Sequence, residues 1–455
     1  MVKKGQFIEG TIETIKFANK GVTHVDGAEI IIKDTIKGQR VSAKIIKKKG
    51  SKIEARVEEI LEKAPNEIEP VCRHFGQCGG CKYLNLPYEA QLEMKAEQVK
   101  DILEKGGIQG FDFEGIVSSP ETYGYRNKME FTFGDEFKGG PLTLGMHQKG
   151  RSFEMLTVEG CQIVDEDFRT ALREVLAYFK ETDLSFYNIM SRQGYLRHLV
   201  LRKAKKTGDF LINLVTTSQA KPDLAPLVEH LKSLDYLGQL KGILHTVNDS
   251  FSDVVQSDET HILYGQDYIT EELLGLQFKI SAFSFFQTNS LGAEKLYEIV
   301  RQYAGDIDQK IVYDLFSGTG TIGQIMAPVA SKVYGIELIE EAVEAAKENA
   351  QLNQLQNCHF IAGDVFVKVD ELKALGEKPD IIILDPPRAG VAEKALTKII
   401  DFGADTIVYV SCKPSSLVEN LNQLIQVGYQ IQKVTCVDLF PGTPHVETIV
   451  KMQKQ

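Results

Sequence analysis

The segment Asp314-Leu-Phe-Ser-Gly318-Thr-Gly320-Thr-Ile-Gly323 decides the fold of the C-terminal part of the chain. It closes an apolar run at 310–314, typical of a buried strand, and opens a stretch at 321–330 with helical periodicity. Its glycines allow a tight turn and a close approach of the backbone to a ligand. A strand, a glycine turn and a helix in this order predict the ligand-binding edge of a parallel sheet.

The same alternation continues from this segment to the end of the chain. Repeated units of this length predict a doubly wound parallel sheet, so 271–455 is expected to be a Rossmann-like α/β domain. The expected strands are 310–314, 332–337, 358–361, 380–384 and 406–410, the expected helices are 290–303, 321–330, 340–352, 393–402 and 415–427, and a hairpin at 431–439 and 447–451 follows.

Carboxylates follow the first strands of this predicted sheet. Glu337 ends the second strand, 19 residues after Gly318, and is placed to meet ribose hydroxyls, while Asp364 follows the third strand and is placed to meet an adenine. G-x-G-x-x-G turns also occur in dinucleotide enzymes. The acidic Asp314 ahead of the glycines fits a cationic ligand better than a pyrophosphate, so S-adenosylmethionine is the predicted cofactor.

A thiol stands at the end of the predicted fifth strand, in Val410-Ser-Cys412-Lys413-Pro414. Open α/β sheets place their chemistry at the carboxyl ends of strands, and a thiolate beside a cation such as Lys413 is a candidate nucleophile. A buried core cysteine is the alternative. The fourth strand ends in Asp385-Pro-Pro-Arg388, which carries arginine where amino-group methyltransferases have a base-stacking aromatic.

Residues 1–62 differ from the rest in charge. They contain 13 Lys and Arg against 9 Asp and Glu, although the whole chain has a net charge of -11. Short β-type runs recur here and predict a small barrel of oligonucleotide-binding type. A basic edge formed by Lys44, Lys47, Lys48 and Lys49 is suited to RNA phosphates, or alternatively keeps a hairpin tip soluble.

Residues 63–270 are expected to form a central α+β domain that contains a cysteine motif. Cys72, Cys78 and Cys81 lie in a glycine-rich segment, and Cys161 is the remaining cysteine before Cys358. Four thiolates suit a [4Fe–4S] cluster, with zinc or unligated thiols as alternatives. A helix at about 88–106 is expected to pack on the catalytic domain, and two aromatic and basic stretches, 123–131 and 195–203, are candidate RNA contacts or amphipathic strands.

Composition sets the broad class. The longest apolar runs are strand-sized and the odd total of 7 cysteines does not indicate a secreted disulfide scaffold. We therefore expect a cytoplasmic protein without a membrane span. No feature of the sequence indicates an obligate protein partner.

Six motifs, in order, carry a resemblance that covers essentially the whole chain. They are the four-cysteine set, Phe286-Gln287-Thr-Asn289, Asp314-Leu-Phe-Ser-Gly-Thr-Gly320, Asp385-Pro-Pro-Arg-Ala-Gly390, Ser411-Cys-Lys-Pro414 and His445-Val-Glu447. The chain resembles the RNA uracil-5-methyltransferases, specifically the branch with an N-terminal TRAM domain and a [4Fe–4S] cluster that modifies large-subunit (23S) ribosomal RNA. Ser317 and Lys413 depart from the cysteine and asparagine that many members carry.

The resemblance implies a role for each matched residue. Cys412 is expected to be the nucleophile and Glu447 the general base, with His445 in reserve; Gln287, Phe316, Glu337 and Asp385 are expected cofactor contacts, beside Asp314, Gly318 and Asp364. The implied activity is methylation of carbon 5 of a uridine in RNA, with 23S ribosomal RNA favoured over transfer RNA. The alternatives are an RNA cytosine C5-methyltransferase, an RNA-binding iron–sulfur protein with an inactive methyltransferase fold, and a dinucleotide-dependent oxidoreductase.

Overall fold

The structure is a computed structural model that describes residues 2–374 and 376–455. The N-terminal strands form one sheet in the order β1-β5-β6-β4-β3-β2. The sheet's two edge strands, β1 and β2, are joined by only Ile12 and Glu13, and the Glu13 N–H donates to the Val22 carbonyl at 2.8 Å. One face is apolar and buried, as a small barrel requires. The strands are β1 (Phe7–Thr11), β2 (Thr14–Lys16), β3 (Lys20–Val25), β4 (Ala28–Lys33), β5 (Arg40–Lys49) and β6 (Lys52–Glu62).

The central part is a mixed sheet in the order β10-β9-β8-β11-β12-β13-β14, covered by two helices. Phe168 and Phe179 of the first covering helix pack on Phe133 and Phe210 of the sheet. The elements from residue 88 to 265 are α1 (Tyr88–Lys105), β7 (Asp112–Val117), β8 (Lys128–Asp135), β9 (Leu142–His147), β10 (Met155–Thr157), α2 (Glu166–Lys180), β11 (Leu196–Lys203), β12 (Asp209–Thr216), α3 (Ala225–Lys232), β13 (Gln239–Val247) and β14 (Glu259–Gly265).

The C-terminal part contains the predicted α/β sheet, in the order β19-β18-β17-β20-β21-β23-β22-β7. Its strands run parallel except β23, which is antiparallel to both neighbours. The elements are β15 (Tyr268–Leu273), β16 (Leu276–Ser281), α4 (Ser290–Ala304), β17 (Ile311–Leu315), α5 (Thr321–Met326), β18 (Lys332–Glu337), α6 (Glu340–Leu352), β19 (Cys358–Ala362), α7 (Val365–Ala374), β20 (Ile381–Leu384), α8 (Glu393–Ile400), β21 (Thr406–Ser411), α9 (Pro414–Gln426), β22 (Tyr429–Val437) and β23 (Glu447–Lys454).

Helix α1 packs on this C-terminal sheet and strand β7 belongs to it, although both elements fall inside the predicted 63–270 domain. Strand β7 pairs in parallel with β22 at the sheet edge. Val99 and Leu103 of α1 belong to the same buried core as Leu417 and Leu421 of α9. The predicted boundary at 270/271 also falls inside β15, whose hairpin with β16 packs in the C-terminal core. The polypeptide therefore crosses between the two parts more often than a division into consecutive segments indicates.

Helix α7 is an element that the sequence reading does not predict. Its first turn contains Val365, Phe366 and Val367, residue types that favour strands and mask a helical pattern. The carboxylate of Asp364 begins the helix by accepting from the Phe366 N–H at 2.7 Å.

Among the described residues, no helix is long and apolar enough to cross a membrane.

Candidate active site

Cys412 and Glu447 lie near each other at the end of the C-terminal sheet where its parallel strands finish. Cys412 follows the last residue of β21, and Ser411 of β21 lies opposite Thr448 of the antiparallel strand β23. Because β23 begins at Glu447, its first carboxylate stands beside the carboxyl end of β21. Burial is the main cause that raises the pKa of the Cys412 thiol, and the charge of Glu447 raises it further.

The cation that acts on the thiol is Arg388. Its guanidinium, by charge and hydrogen bonding, opposes the rise in the pKa of Cys412. Lys413 was the predicted cation because it is adjacent in sequence, but its side chain is exposed where α9 begins. The raised pKa keeps the partly exposed Cys412 thiol more protonated than a cysteine in water until a positive charge binds in the site. The structure thus indicates Arg388, in place of the exposed Lys413, as the cation that acts on the thiol.

Acidic groups with raised pKa values surround the thiol. Burial raises the pKa of Glu447 to about 8, with a smaller contribution from the charge of Asp385, and Arg388 opposes both. Burial also raises the pKa of Asp385, which follows β20, to about 7. The buried Tyr297 of α4 faces this group, and its own pKa rises well above its usual value because of burial and these charges. Perturbed titratable groups that converge at a sheet edge indicate a reaction site.

His445 lies in the loop before β23, two residues ahead of Glu447. Burial and then the charges of Arg388, Lys95 and Arg126 lower the pKa of His445 to about 4. Its imidazole is therefore neutral at neutral pH. A group with so low a pKa is a weak proton acceptor compared with the Glu447 carboxylate.

The glycine turn after β17 has a constrained backbone. Phe316 has a φ of +69°, in the left-handed region that a bulky side chain rarely adopts. The N–H groups of Phe316 and Ser317 both donate to the Ile336 carbonyl at 2.9 Å. Glu337 accepts from the Gly318 N–H at 3.0 Å, so the end of β18 holds the turn. Strain maintained in this way is typical of binding sites.

Two polar atoms at this turn are buried without a hydrogen-bond partner in the described part of the chain. They are Oδ1 of Asp314 and Oγ of Ser317. The other Asp314 oxygen accepts from the Gly323 N–H at 2.8 Å, and burial raises the pKa of this carboxyl to about 7. An orphaned acceptor in a buried site costs free energy, which a ligand that donates a hydrogen bond would recover.

Loop 283–289 covers the glycine turn. Phe285 is 68% exposed, and a Cβ on Gly318 would lie 3.8 Å from its ring. Asn127 Nδ2 donates to the backbone carbonyl of Gln287 at 2.9 Å, and the Gln287 side chain is partly exposed. The predicted cofactor residues Phe316, Gly318 and Glu337 lie at the glycine turn, and Gln287 lies on the loop that contacts this turn through Phe285. Asp364 is exposed at the end of β19, where its side chain caps α7.

The four predicted cysteine ligands come together in the central part. Cys72, Cys78, Cys81 and Cys161 line one small, mostly apolar pocket with Met129, Met146, Val158 and Ile163. Burial, followed by the charges of the other three thiols, raises the pKa of Cys81 to about 12. Within 2–374 and 376–455, no group of three or more His, Cys, Asp or Glu side chains is arranged to hold a metal ion. The [4Fe–4S] assignment therefore stays a prediction.

The family model described as tRNA (Uracil-5-)-methyltransferase matches residues 87–455. This range contains Cys412, Glu447 and the glycine turn, and it contains Cys161 of the cysteine pocket, whereas Cys72, Cys78 and Cys81 precede it. The chain belongs to this family. Similarity to proteins described as RNA methyltransferases also identifies it as an RNA methyltransferase. A protein of Clostridium tetani named "Uncharacterized RNA methyltransferase" is 55% identical over 100% of this chain and 99% of its own length. A Staphylococcus aureus protein of the same description is 34% identical over 98% of each chain.

A solved structure extends the similarity to the fold. The tRNA (uracil-54, C5)-methyltransferase of Pyrococcus abyssi, in complex with S-adenosyl-L-homocysteine, has a TM-score of 0.76 and 26% sequence identity, and the match covers 98% of this chain and 100% of that chain. The methyltransferase described here therefore shares its chain organisation with a uracil-5 enzyme over nearly its full length.

Several residues of the methyltransferase's site escape sequence reasoning. The sequence pattern identifies Arg388 only as an arginine in the place of a base-stacking aromatic residue. Its position, directly after two prolines at the end of a strand, is the signal that could have marked it as a residue of the site. Arg197 and Arg202 lie in a stretch predicted to be amphipathic or RNA-facing, yet both are buried. Arg202 donates to the carbonyls of Ala282 and Ser284, just before loop 283–289 reaches Gln287. Residue type alone does not distinguish an arginine that holds backbone from one that contacts RNA.

Proposed function

We propose that this methyltransferase transfers a methyl group from S-adenosylmethionine to carbon 5 of a uridine in RNA. The observation that carries the proposal is a thiol and a buried carboxyl, Cys412 and Glu447, on neighbouring strands of the sheet edge that also bears the glycine turn. Methylation at a carbon that is a poor nucleophile needs both an added nucleophile and a base, and this site supplies a candidate for each.

The residues at the glycine turn fit the cofactor. The orphaned Oδ1 of Asp314 and Oγ of Ser317 offer an acceptor and a hydroxyl to its amino-acid or ribose groups. Glu337 stands at the position that binds ribose hydroxyls, and the acidic Asp385 and Asp314 favour a cation. Gln287, Phe316 and Gly318 line the same turn, with Asp364 beyond it. When bound, S-adenosylmethionine supplies an electrophilic methyl group on a sulfonium.

Cys412 opens the reaction on the uracil ring. Its thiolate forms a bond to carbon 6, and the electron pair of the carbon 5–carbon 6 double bond moves into an enolate whose charge rests on O4. Carbon 5 then takes the methyl group, and S-adenosylhomocysteine leaves. Arg388 favours the thiolate, because its charge opposes the rise in the pKa of Cys412. The target base has to leave its stack to reach this thiol.

Glu447 closes the reaction. Its carboxylate takes the proton from carbon 5, the double bond forms again, and the bond from carbon 6 to the Cys412 sulfur breaks to release the thiolate. A raised pKa of about 8 makes this carboxylate a stronger base than an exposed glutamate. His445 is the weaker candidate, since its pKa of about 4 leaves little driving force for the transfer.

Large-subunit (23S) ribosomal RNA is the substrate class that we favour, and transfer RNA, named for the Pyrococcus abyssi protein, is the alternative. The test incubates the protein with methyl-labelled S-adenosylmethionine and, separately, ribosomal RNA and transfer RNA transcripts, followed by nucleoside analysis. Label in 5-methyluridine from ribosomal RNA is the expected result. Label only in 5-methylcytidine, or no label above that of the Cys412→Ala protein, would reject the uridine assignment.

The four thiols of Cys72, Cys78, Cys81 and Cys161 fit a [4Fe–4S] cluster, because thiolates are its usual ligands and this set lines a single apolar pocket. A bound cluster would supply a rigid link among the segments that carry these residues. Anaerobically purified protein is expected to be brown and to contain about four irons per chain. A colourless protein with one zinc per chain would replace the cluster by a structural zinc site.

A further inference from the structure

Loop 438–446 joins β22 to β23 and ends directly before Glu447; we name it the base loop. Successive carbonyls in this loop, from Leu439 to Gly442, each accept a hydrogen bond from a different part of the protein. Asn289 Nδ2 donates to Leu439 (3.0 Å), Lys95 Nζ to Phe440 (3.2 Å), Tyr125 Oη to Pro441 (3.0 Å), and the backbone N–H groups of Lys82 and Tyr83 to Gly442 (2.7 and 3.0 Å).

A buried ion pair fixes the start of the base loop. Lys95 of α1 and Asp438 are 1% and 0% exposed, and Lys95 Nζ lies 2.8 Å from Asp438 Oδ1. The same oxygen accepts from the Phe440 N–H at 3.1 Å. A buried ammonium is costly unless it is paired and hydrogen-bonded, and here its hydrogen bonds go to Asp438 and Phe440 of the base loop. Lys95 thus holds the start of this loop.

The tip of the base loop touches the cysteine pocket. Lys82 and Tyr83 directly follow Cys81, and both bind the Gly442 carbonyl. Gly442 has a φ of +77°, and a Cβ there would lie 2.5 Å from Leu84 Cδ2 and 3.8 Å from Cys81 Sγ. The Gly442 N–H also donates to Gln91 Oε1 at 2.8 Å. A side chain at residue 442 would require Leu84 to move, because the segment after Cys81 and the loop before Glu447 are in direct contact.

We propose that the cysteine pocket positions the catalytic base through the base loop, with Lys95 and Tyr125 as positioning residues. Order in the segment 81–83 fixes Gly442, the Lys95–Asp438 pair fixes the start of the loop, and the five residues from Gly442 to Val446 then set where the Glu447 carboxylate stands. This inference rests on the proposed function for its catalytic consequence. The physical link between pocket and loop stands independently of it.

The first test uses the step that needs Glu447. Lys95→Met combined with Asp438→Asn removes the ion pair without leaving a buried charge, and Tyr125→Phe removes a single hydrogen bond. We expect kcat to fall about tenfold in the double variant and about threefold in Tyr125→Phe, with KM for S-adenosylmethionine changed less than twofold. A denaturant-resistant protein–RNA adduct on ordinary uridine should accumulate, as in Glu447→Gln, because addition proceeds while elimination is slowed.

Lys100→Met is the matched control, since Lys100 lies on the exposed face of the same helix and pairs only with Glu104 at 3.9 Å. It should behave as the wild type. Wild-type turnover without adduct accumulation in Tyr125→Phe and in a folded double variant would overturn the positioning role. A wild-type protein that neither methylates nor forms an adduct would instead reject the proposed function.

The second test does not depend on activity. Hydrogen exchange is compared between anaerobically purified wild type and Cys81→Ser, and again for Tyr125→Phe. Amides in 438–447 should exchange at least tenfold faster in Cys81→Ser, whereas those of α6, whose buried residues Val343, Ala346 and Ala350 belong to a separate core cluster, should keep their rates. Unchanged exchange in 438–447 alongside loss of bound metal would overturn the link, and equal acceleration everywhere would show general unfolding and overturn it also.

Discussion

The reaction site depends on single residues whose ionisation is controlled by burial. Cys412 and Glu447 both have raised pKa values because desolvation outweighs the nearby Arg388 charge. The raised pKa of Glu447 favours its role, since its carboxylate becomes a stronger proton acceptor. The raised pKa of Cys412 opposes its role, because less of the thiol is present as the attacking thiolate, and binding of a cationic cofactor beside Asp385 would offset this effect.

Cys412→Ala should abolish methylation while leaving the fold intact, because the partly exposed thiol contributes little packing. We expect at least a thousandfold loss of kcat/KM in the tritium-release or methyl-transfer assay, or about 4 kcal/mol of transition-state stabilisation. Cys358→Ala, which removes another partly buried thiol in the same domain, is the control and should retain activity. Equal activity in the two variants would show that the thiol is not the nucleophile.

Glu447→Gln should stabilise the protein at alkaline pH. The folded-state pKa of about 8 exceeds the ordinary 4.5, so the folded chain holds a proton that the unfolded chain releases, and stability falls as pH rises from about 4.5 to about 8. Glutamine removes this cost, which is on the order of 5 kcal/mol at pH 9 and close to zero at pH 4. Denaturant unfolding at the two pH values measures the difference.

Glu114→Gln is the control with the opposite sign. Hydrogen bonds from Lys433, Tyr303 and Thr435 lower the pKa of Glu114, so its ionised form stabilises the folded state and that contribution is lost as pH falls. This variant should be less stable than the wild type at pH 9 and similar to it in acid. A pH-independent effect of Glu447→Gln would contradict burial as the cause of its raised pKa.

The arrangement of the strands and loops brings the reacting residues Cys412 and Glu447 next to each other. The antiparallel strand β23 brings residue 447 to the carboxyl end of β21, which a fully parallel sheet would not do. The loop between β16 and α4 is held in turn by Arg202, a fully buried arginine on β11 whose guanidinium binds two loop carbonyls. Strands of the central sheet therefore support the cofactor side of the catalytic sheet.

Arg202→Met should weaken cofactor binding more than RNA binding. Loss of the guanidinium leaves the Ala282 and Ser284 carbonyls without their donor, at roughly 1–3 kcal/mol each, and loosens the loop that carries Gln287. We expect Kd for S-adenosylmethionine, measured by calorimetry, to rise about tenfold. Arg173→Met, on the partly exposed face of α2, should leave Kd unchanged. A wild-type Kd in a folded Arg202→Met protein would show that the loop does not need this support.

The N-terminal part of the molecule contacts the rest through apolar groups, such as Ile36 packed with Tyr83 and Leu86, and through ion pairs. Asp34 of the N-terminal part pairs with Lys82 at 3.3 Å and with Lys149 at 3.6 Å. These residues lie beside the cysteine motif, so the N-terminal sheet sits next to the pocket that we assign to a cluster.

Removal of basic side chains from the N-terminal sheet should weaken RNA binding in a salt-dependent way. Lys44, Lys47 and Lys49 on β5 form this edge with Lys48, which is tied to the Val2 carbonyl. The triple alanine variant should bind RNA about tenfold more weakly, and the slope of log K against log salt should fall by about one to two units. Alanine at Lys295 and Lys347, lysines on α4 and α6 that pair with neighbouring glutamates, is the control. Unchanged affinity and slope would remove this edge from the RNA site.

The sequence by itself determined the α/β sheet and the glycine turn, and its motifs named Cys412, Glu447 and the four cysteines as candidates, because strand periodicity, turn glycines and motif spacing are local properties of the chain. Only the tertiary structure decided that Arg388 is the cation acting on the thiol, that burial lowers the pKa of His445, and that Lys95, 343 residues before Asp438, pairs with it to hold the base loop. The reason is physical. Burial and charge pairing depend on which distant segments meet, and periodicity along the chain does not record those meetings.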